Sequence, residues 1–202
     1  MSVKNRSILL ILFILFADQA LKIWIKTSFT IGEEIHLLGD WFILHFIENN
    51  GMAFGMEFGG ETGKVILSLF RIVASVAIGW YILHLIKQKA PAGLILAVSA
   101  IFAGAVGNII DSLFYGMIFT ESWFEPAVMF PPEGGYSGFL HGRVVDMLYF
   151  PVIDGAWPSW VPFKGGESFL FFRPVFNLAD TAVTTGVFTI ILFQRRFFKD
   201  LD

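Results

Sequence analysis

Several carboxylates stand in or beside apolar runs, where an ionised side chain is costly. Asp180 begins the run DTAVTTGVFTIILF, and Asp146 is the sole carboxylate of the short apolar segment VVDMLYFP. Insertion of one charge into a membrane helix costs about 2.5 to 3.5 kcal/mol, so each charge needs a partner or a purpose. Because the chain has no cysteine, thiolate nucleophiles, disulfides and cysteine-ligated metals are excluded. Any chemistry must therefore come from carboxylates, hydroxyls, imidazoles or water.

Two further sets of polar residues lie inside apolar stretches. Asp18 and Lys22 are four residues apart on one helical face, where they can neutralise each other as a structural ion pair. Asn108 and Asp111 are three apart and project from one face. A structural hydrogen bond between helices would explain Asn108. It explains Asp111 less well, because a carboxylate costs more than an amide to keep in an apolar layer. Arg71 can reach the membrane surface or bind a lipid phosphate.

The start of the last apolar run also fits a helix cap. Asn177 and Asp180 have the N-cap to N3 spacing of a capping box, with Asp in place of the usual Glu. A helix N-terminus fixes the position of a carboxylate and lowers the cost of its charge. Capping and catalysis are therefore compatible for Asp180. For Asp146, a solvated loop position is the alternative to a functional one.

The composition predicts a polytopic membrane protein of mainly α class. Hydrophobic residues make up 55% of the 202 residues, aromatic residues make up 17%, and the mean hydropathy is +0.69, unlike a soluble domain. A spanning helix needs about 20 mostly apolar residues, and four stretches qualify, at about 7–25, 65–86, 92–114 and 177–198. We expect a single domain over 1–202. The net charge of −3 does not indicate a nucleic-acid partner.

Basic residues flank the predicted spans on one side of the membrane. They precede the first span, join the second to the third and follow the fourth: Lys4, Arg6, Lys87, Lys89, Arg195, Arg196 and Lys199. Since cytoplasmic loops carry an excess of Lys and Arg, both termini are predicted to be cytoplasmic. The small-x-small sequence ADQA raises the alternative of a cleaved signal peptide, but the following LKIWI extends the run to spanning length.

The two long connections are predicted to lie on the outer side. The first, at about 27–63, alternates β-branched or aromatic residues with polar ones and has Gly-Asp and Asn-Gly breaks. It predicts a small region of short β-strands. The second, at about 115–176, is rich in Pro, Gly and aromatic residues. Trp and Phe suit the headgroup layer, so we expect short amphipathic segments of this loop to lie on the membrane.

Taken together, five motifs resemble those of lipoprotein signal peptidase (signal peptidase II), a family of four-span aspartyl peptidases of the bacterial inner membrane. In chain order they are DQALK with Asp18 and Lys22, NNGMAF with Asn49 and Gly51, GNIID with Asn108 and Asp111, VVDM with Asp146, and FNLAD with Asn177, Ala179 and Asp180. Each motif lies at the same edge of the predicted spans. The resemblance covers essentially the whole chain except two insertions, around 115–140 and 151–172.

The resemblance implies that Asp146 and Asp180 form a catalytic pair. It also implies a set of residues that support the site or hold the substrate backbone: Asn49, Gly51, Asn108, Asp111, Asn177 and Ala179. The implied substrate is a prolipoprotein whose signal peptide ends at a cysteine already carrying diacylglycerol, and the cut falls just before that cysteine. No cofactor or metal is implied. We expect a monomer among membrane lipids, with its active site near the outer face and no nucleic-acid partner.

This chain departs from the family pattern in three respects. Ser112 follows the GNIID motif, where the family usually has Arg, and Arg143 or Arg71 is a candidate to supply that charge. Met52 replaces the small residue that is common in the second motif. The gaps on either side of Asp146 are longer than is typical of the family. These departures leave the aspartate pair intact but affect the expected contacts with lipid and substrate.

Two rival functions follow from other features. The string GYSG, with His141 close by, suggests a serine intramembrane peptidase, but it lies in a Pro/Gly-rich loop, and a triad depends on geometry that nearby sequence does not provide. A small proton-coupled transporter or assembly subunit could use Asp111 and Asp180 as relay groups. Such groups are expected near the bilayer midplane, whereas here they gather at one edge. No HExxH-type cluster indicates a metallopeptidase.

Overall fold

A computed structural model describes residues 1–50, 60–151, 153–156, 158–162, 165–166, 168–171 and 174–199 of the chain. The helices are α1 (Val3–Ser28), α2 (Gly60–Lys87), α3 (Ala92–Ile110), the short α4 (Gly116–Ile118) and α5 (Leu178–Phe198). A π-helical turn, Asp111–Tyr115, joins α3 to α4. Gly51 and Met52, which the sequence motifs single out, lie outside the described residues.

Three of the described helices are long and apolar enough to cross a membrane. They are α1, the stretch Thr62–Lys87 of α2, and α3 continued to Ile118. The stretches predicted as spans at 7–25, 65–86 and 92–114 are therefore helical and could cross a membrane, and each helix is somewhat longer than its predicted stretch. Helix α5 has 21 residues, but its threonines and polar ends lower its mean hydropathy. The fourth span stays a prediction.

The sheet that lies against the ends of these helices has four antiparallel strands in the order β1-β2-β3-β6. They are β1 (Glu34–Leu38), β2 (Phe42–Asn49), β3 (Val144–Tyr149) and β6 (Val175–Phe176), while β4 (Ile153–Ala156) pairs with β5 (Ser168–Phe171). The sequence predicts strands in the first connection only, yet β3 and β6 come from the second. VVDMLY forms a strand because β2 offers it an open edge, with Ile47 opposite Asp146.

A buried cluster joins the sheet to the helix ends. It contains Ile25 and Phe29 at the end of α1, Phe46 from β2, and Val145 and Met147 from β3. In β3, Val144, Val145, Asp146 and Met147 are all buried. Strand β3 is therefore covered on both faces, and the aspartate in it is buried. It does not occupy a solvated loop.

Glycines allow α5 to approach α3 closely. A Cβ at Gly104 would overlap the carbonyl oxygen of Ala179 and lie 2.7 Å from Val183 Cγ2. A Cβ at Gly186 would lie 2.6 Å from the carbonyl oxygen of Ala97. Small residues at helix crossings in membranes permit such backbone contact. The helix that carries Asp180 is thus pressed directly against the helix that carries Asn108.

We expect Gly104→Ala to lower the free energy of unfolding by about 1 to 3 kcal/mol, the usual cost of overpacking a tight contact. The added methyl group must push the first turn of α5 away from α3. Thermal unfolding in detergent measures the loss. Gly79→Ala is the matched control, since its Cβ would meet only the Phe102 ring edge at 3.2 Å. Equal unfolding temperatures for the two variants would contradict the close contact.

Candidate active site

Asp146 lies in the middle of β3 with both carboxylate oxygens occupied. Its Oδ1 accepts a hydrogen bond of 2.7 Å from Nδ2 of Asn177, and its Oδ2 accepts one from Nδ2 of Asn49. The residue is 3% exposed. Strand pairing explains the contact with Asn49, because β2 runs antiparallel to β3 and places Asn49 opposite Val144. The sheet therefore fixes Asp146 without leaving it free in a loop.

Asp180 lies in the first turn of α5, where the predicted capping box is present. Its backbone N–H donates to Oδ1 of Asn177 at 2.9 Å, and its Oδ2 accepts from the Asn177 N–H at 3.4 Å. Its Oδ1 accepts a bond of 2.8 Å from Nδ2 of Asn108. The cap therefore turns this carboxylate toward α3. This carboxylate lies in the first turn of α5, at the positive end of the helix dipole.

Asn177 connects the two aspartates and is fully buried. Its Nδ2 lies 2.7 Å from Oδ1 of Asp146 and 3.1 Å from Oδ1 of Asn108. Its own Oδ1 caps the helix at Asp180. One amide side chain thus binds Asp146 and Asp180 together, although 34 positions separate them in the sequence. Both carboxylates belong to one hydrogen-bonded cluster.

Burial and a neighbouring charge both act on the pKa of Asp146. Burial, and then the negative charge of Asp180, raise the pKa of Asp146 to about 8. The hydrogen bonds from Asn177 and Asn49 favour the ionised form and act in the opposite direction. Asp146 therefore holds a proton at neutral pH beside a carboxylate at a helix N-terminus.

Two other buried carboxylates, those of Asp18 and Asp111, share Lys22 as their cation. Its Nζ is 2.9 Å from Oδ2 of Asp18 and 2.8 Å from Oδ2 of Asp111. It also donates to Oδ1 of Asn108 at 2.9 Å. The side chain of Lys22 is 0% exposed. Lys22 therefore balances charge and also orients the amide that binds Asp180.

The carboxylates bound to Lys22 also hold backbone groups of the site. Oδ1 of Asp18 accepts from the N–H of Ala179 at 2.9 Å, which anchors the start of α5. Oδ2 of Asp111 accepts from the N–H of Val145 at 3.3 Å, which anchors β3. The π-helical turn that begins at Asp111 shifts the following side chains relative to a regular helix, as such turns commonly do at functional sites.

Gln19 belongs to the cluster, although the sequence analysis does not single it out. Its Nε2 lies 3.1 Å from Oδ2 of Asp18 and 3.0 Å from Oδ1 of Asp111. Its Oε1 accepts from the Tyr115 hydroxyl at 3.2 Å. Its position three residues before Lys22 puts it on the same helical face, and that spacing was the available signal.

The Arg143 guanidinium belongs to a second charge cluster, which it forms with two glutamates. It binds Oε2 of Glu48 at 3.2 Å and Oε2 of Glu121 at 2.6 Å. Glu48 also pairs with the buried Lys26. Arg71 of α2 is the cation that interacts electrostatically with Asp180, and then with Asp146 and Asp111. Of the two candidates for the missing family charge, Arg71 faces the aspartates.

Ser137 and His141, the residues of the serine alternative, make local contacts. Ser137 packs against Gly116, and its N–H donates to the Gly116 carbonyl at 2.8 Å. Nδ1 of His141 lies 2.8 Å from the carbonyl oxygen of its neighbour Phe139. In the part of the chain that the structure describes, no three His, Asp or Glu side chains are grouped as a metal site. Ser112, which stands where the family pattern usually has Arg, donates to the Asn108 carbonyl at 3.1 Å.

Comparison with known proteins gives concordant matches. Residues 10–196 match the family described as Signal peptidase (SPase) II. A lipoprotein signal peptidase of Porphyromonas gingivalis is 48% identical over 184 residues, 91% of this chain and 80% of the relative. One of Amoebophilus asiaticus is 40% identical over 181 residues, 88% of this chain and 72% of the relative.

A solved structure described as a bacterial membrane enzyme matches the fold. Its TM-score is 0.60 at 24% sequence identity, and the match covers 94% of this chain and 92% of the other. At this identity the likeness concerns the arrangement of helices and strands alone.

Proposed function

The chain belongs to the signal peptidase II family, and on this premise we propose that Asp146 and Asp180 are the catalytic pair of an aspartic-type peptidase. The reaction is removal of the signal peptide from prolipoproteins. The observation that carries the assignment is the buried Asn177, whose side-chain amide donates to the Asp146 carboxylate and whose backbone N–H donates to the Asp180 carboxylate. Asn49, Asn108 and Asn177 hold the pair in position.

The two carboxylates divide the work of hydrolysis. Ionised Asp180 takes a proton from a water molecule as that water attacks the scissile carbonyl. Protonated Asp146 donates its proton to the developing oxyanion. As the C–N bond breaks, Asp180 passes the proton taken from water to the leaving amine, and a hydroxyl of the tetrahedral intermediate returns a proton to Asp146. The raised pKa of Asp146 and the dipole at the start of α5 support this division. Because the pair shares one proton, titration belongs to the pair as a unit.

The substrate determines where the pair must lie. We propose a cut just before a cysteine that carries diacylglycerol, whose acyl chains anchor the scissile bond near the headgroups. The aspartates lie beside the halves of α1 and α3 that end at Ser28 and Ile110, since Asn108 of α3 donates to Asp180 and Asp18 of α1 accepts from the N–H of Ala179. Water reaches that depth, and the acyl chains stay in the bilayer by apolar contact worth about 0.8 kcal/mol per CH₂.

Helix α5 completes the proposed topology as a fourth span. Its first turn carries Asp180 and its last turn carries Arg195 and Arg196. With the other basic flanks, these arginines favour cytoplasmic termini and an active site near the outer face of the inner membrane. We propose that the whole chain is one membrane domain and that it acts as a monomer in contact with lipid.

Cleavage of a purified diacylglyceryl prolipoprotein in detergent tests the function. We expect cleavage of the lipidated precursor and little or none of the same precursor without lipid. Chelators should leave the rate unchanged. An intact lipidated precursor, together with ion movement in liposomes containing the protein, would favour a transporter. Loss of cleavage in Ser137→Ala with full cleavage in Asp146→Asn would favour a serine peptidase.

The rate of cleavage should fall above about pH 8, because Asp146 loses the shared proton near its pKa of about 8. In Asn49→Ala the alkaline limb should move to higher pH, since the lost hydrogen bond favoured the ionised form. The pH dependence of kcat/KM, measured for the wild type and for Asn49→Ala, gives the position of the alkaline limb in each. Asn5→Ala, at the far end of α1, is the control. An alkaline limb that does not shift in Asn49→Ala would mean that Asn49 does not bind the group that titrates.

A further inference from the structure

Residues 118–130 form a hairpin beside the ends of two spanning helices. The N–H of Phe130 donates to the Ile118 carbonyl at 2.7 Å, and the N–H of Thr120 donates to the Val128 carbonyl at 3.1 Å. Phe119 and Met129 form a β-bridge. This 118–130 hairpin falls in one of the insertions relative to the signal peptidase II pattern, and the proposed reaction does not use it.

Two backbone hydrogen bonds fix the depth of the hairpin tip. The N–H of Ala127 donates to the Lys26 carbonyl at 2.9 Å, and the N–H of Ile31 donates to the Ser122 carbonyl at 2.8 Å. Oγ of Ser122 also accepts from Nζ of Lys26 at 3.0 Å. Lys26 lies in the last turn of α1. The tip is therefore held at the level where α1 leaves the hydrocarbon core.

The 118–130 hairpin has one buried face and one exposed apolar face. Phe119, Ser122 and Ala127 are buried. The opposite side exposes large apolar residues, among which Trp123 is 57% and Phe124 is 99% exposed. A fully exposed Phe beside an exposed Trp on an ordered loop is unfavourable in water. Two adjacent large apolar side chains that are exposed in this way are more typical of an interaction site than of a surface in water.

The patch continues the lipid-facing surface of the helices. Met117 and Phe114, near the end of the α3 span, are also exposed. The Phe114 ring lies 6.0 Å from the exposed Phe139 ring, measured between centroids. Trp24 is exposed on the last turns of α1. Trp at a membrane boundary places its apolar ring in the acyl region and its N–H among headgroups.

We propose that the 118–130 hairpin is an interfacial anchor that inserts Trp123 and Phe124 into the headgroup layer of the bilayer. The charges nearby fit this position. Glu121 is neutralised by Arg143 at 2.6 Å, and Glu125 is exposed and can stay among headgroups and water. The hairpin thereby sets the height of the Lys26 end of α1 and of the strand that follows Arg143.

Site-directed spin labelling tests the anchor directly. The chain has no cysteine, so a single substitution gives a single label. Phe124→Cys is labelled with a nitroxide, reconstituted in phosphatidylcholine vesicles, and its collisions with oxygen and with a water-soluble nickel chelate are measured. We expect the label to collide more with oxygen than with nickel. Trp123→Cys repeats the measurement if Phe124→Cys does not fold.

Two labelled positions provide the reference values. Val73→Cys, on an exposed face within α2, reports the hydrocarbon core, and Glu133→Cys, on an exposed turn just after the hairpin, reports water. The Phe124 label should resemble the Val73 label more than the Glu133 label. Nickel collisions equal to those at Glu133 would overturn the anchor. Shielding from both reagents would overturn it too, because it would mean that protein covers the tip.

Discussion

Asp146→Asn and Asp180→Asn should each reduce cleavage of a lipidated precursor by about 10³-fold or more. General acid and base catalysis each contribute about 10² to 10⁴, and an amide can neither accept the proton of water nor hold the shared proton. The change is nearly isosteric, so the contacts of each residue with Asn177 are largely kept. Single-turnover cleavage in detergent, with precursor at saturating concentration, measures the loss.

The fold should survive both changes. Asp146→Asn removes the repulsion between two carboxylates in a buried site, so its unfolding temperature should match or exceed that of the wild type. The double variant should be no slower than either single variant, because residues that act as one unit are not additive. An exposed carboxylate, Asp40 in the β1–β2 turn, serves as the matched control, and Asp40→Asn should cleave at the wild-type rate. If Asp146→Asn or Asp180→Asn kept more than a tenth of the wild-type activity, the two aspartates would not be the catalytic pair.

Helices and the contacts within a single helix could be predicted from the sequence, and the structure contains them. Apolar length predicts α1, α2 and α3 as spans. The spacing of Asn177 and Asp180 predicts the capping box, which is formed. The Asp18 and Lys22 spacing predicts a contact within one helix, and Nζ lies 2.9 Å from the carboxylate. In each case the interacting residues are three or four positions apart, so helical periodicity alone brings them together.

Contacts between distant segments could not be predicted from the residues alone. Lys22 takes Asp111 as a second partner across 89 positions, at 2.8 Å, because α1 packs against α3. Asp146 is held by Asn49 because β2 accepts β3 along its edge. VVDMLY is too short and too apolar for periodicity to distinguish a strand from a membrane-surface segment. The family resemblance predicts the residues of the site, whereas tertiary structure supplies their partners.

Lys22→Met should lower the free energy of unfolding by about 3 to 5 kcal/mol, the usual cost of removing one partner from a buried ion pair. Here one ammonium serves Asp18 and Asp111, so its loss leaves two buried carboxylates without a cation. It also removes the donor that orients Asn108. Cleavage should fall together with stability. Thermal unfolding in detergent gives the stability, and the lipidated-precursor assay gives the rate.

A compensating variant distinguishes charge from shape. Lys22→Met combined with Asp111→Asn leaves only one of the two carboxylates that Lys22 binds, so it should recover part of the lost stability. Lys87→Met removes an exposed cation at the end of α2 and should be neutral. Asp18 keeps its hydrogen bond to the N–H of Ala179 in the combined variant, so the start of α5 and Asp180 should return toward their positions. Equal unfolding temperatures for the single and combined variants would mean that the aliphatic stem of Lys22, rather than its charge, supports the aspartate pair.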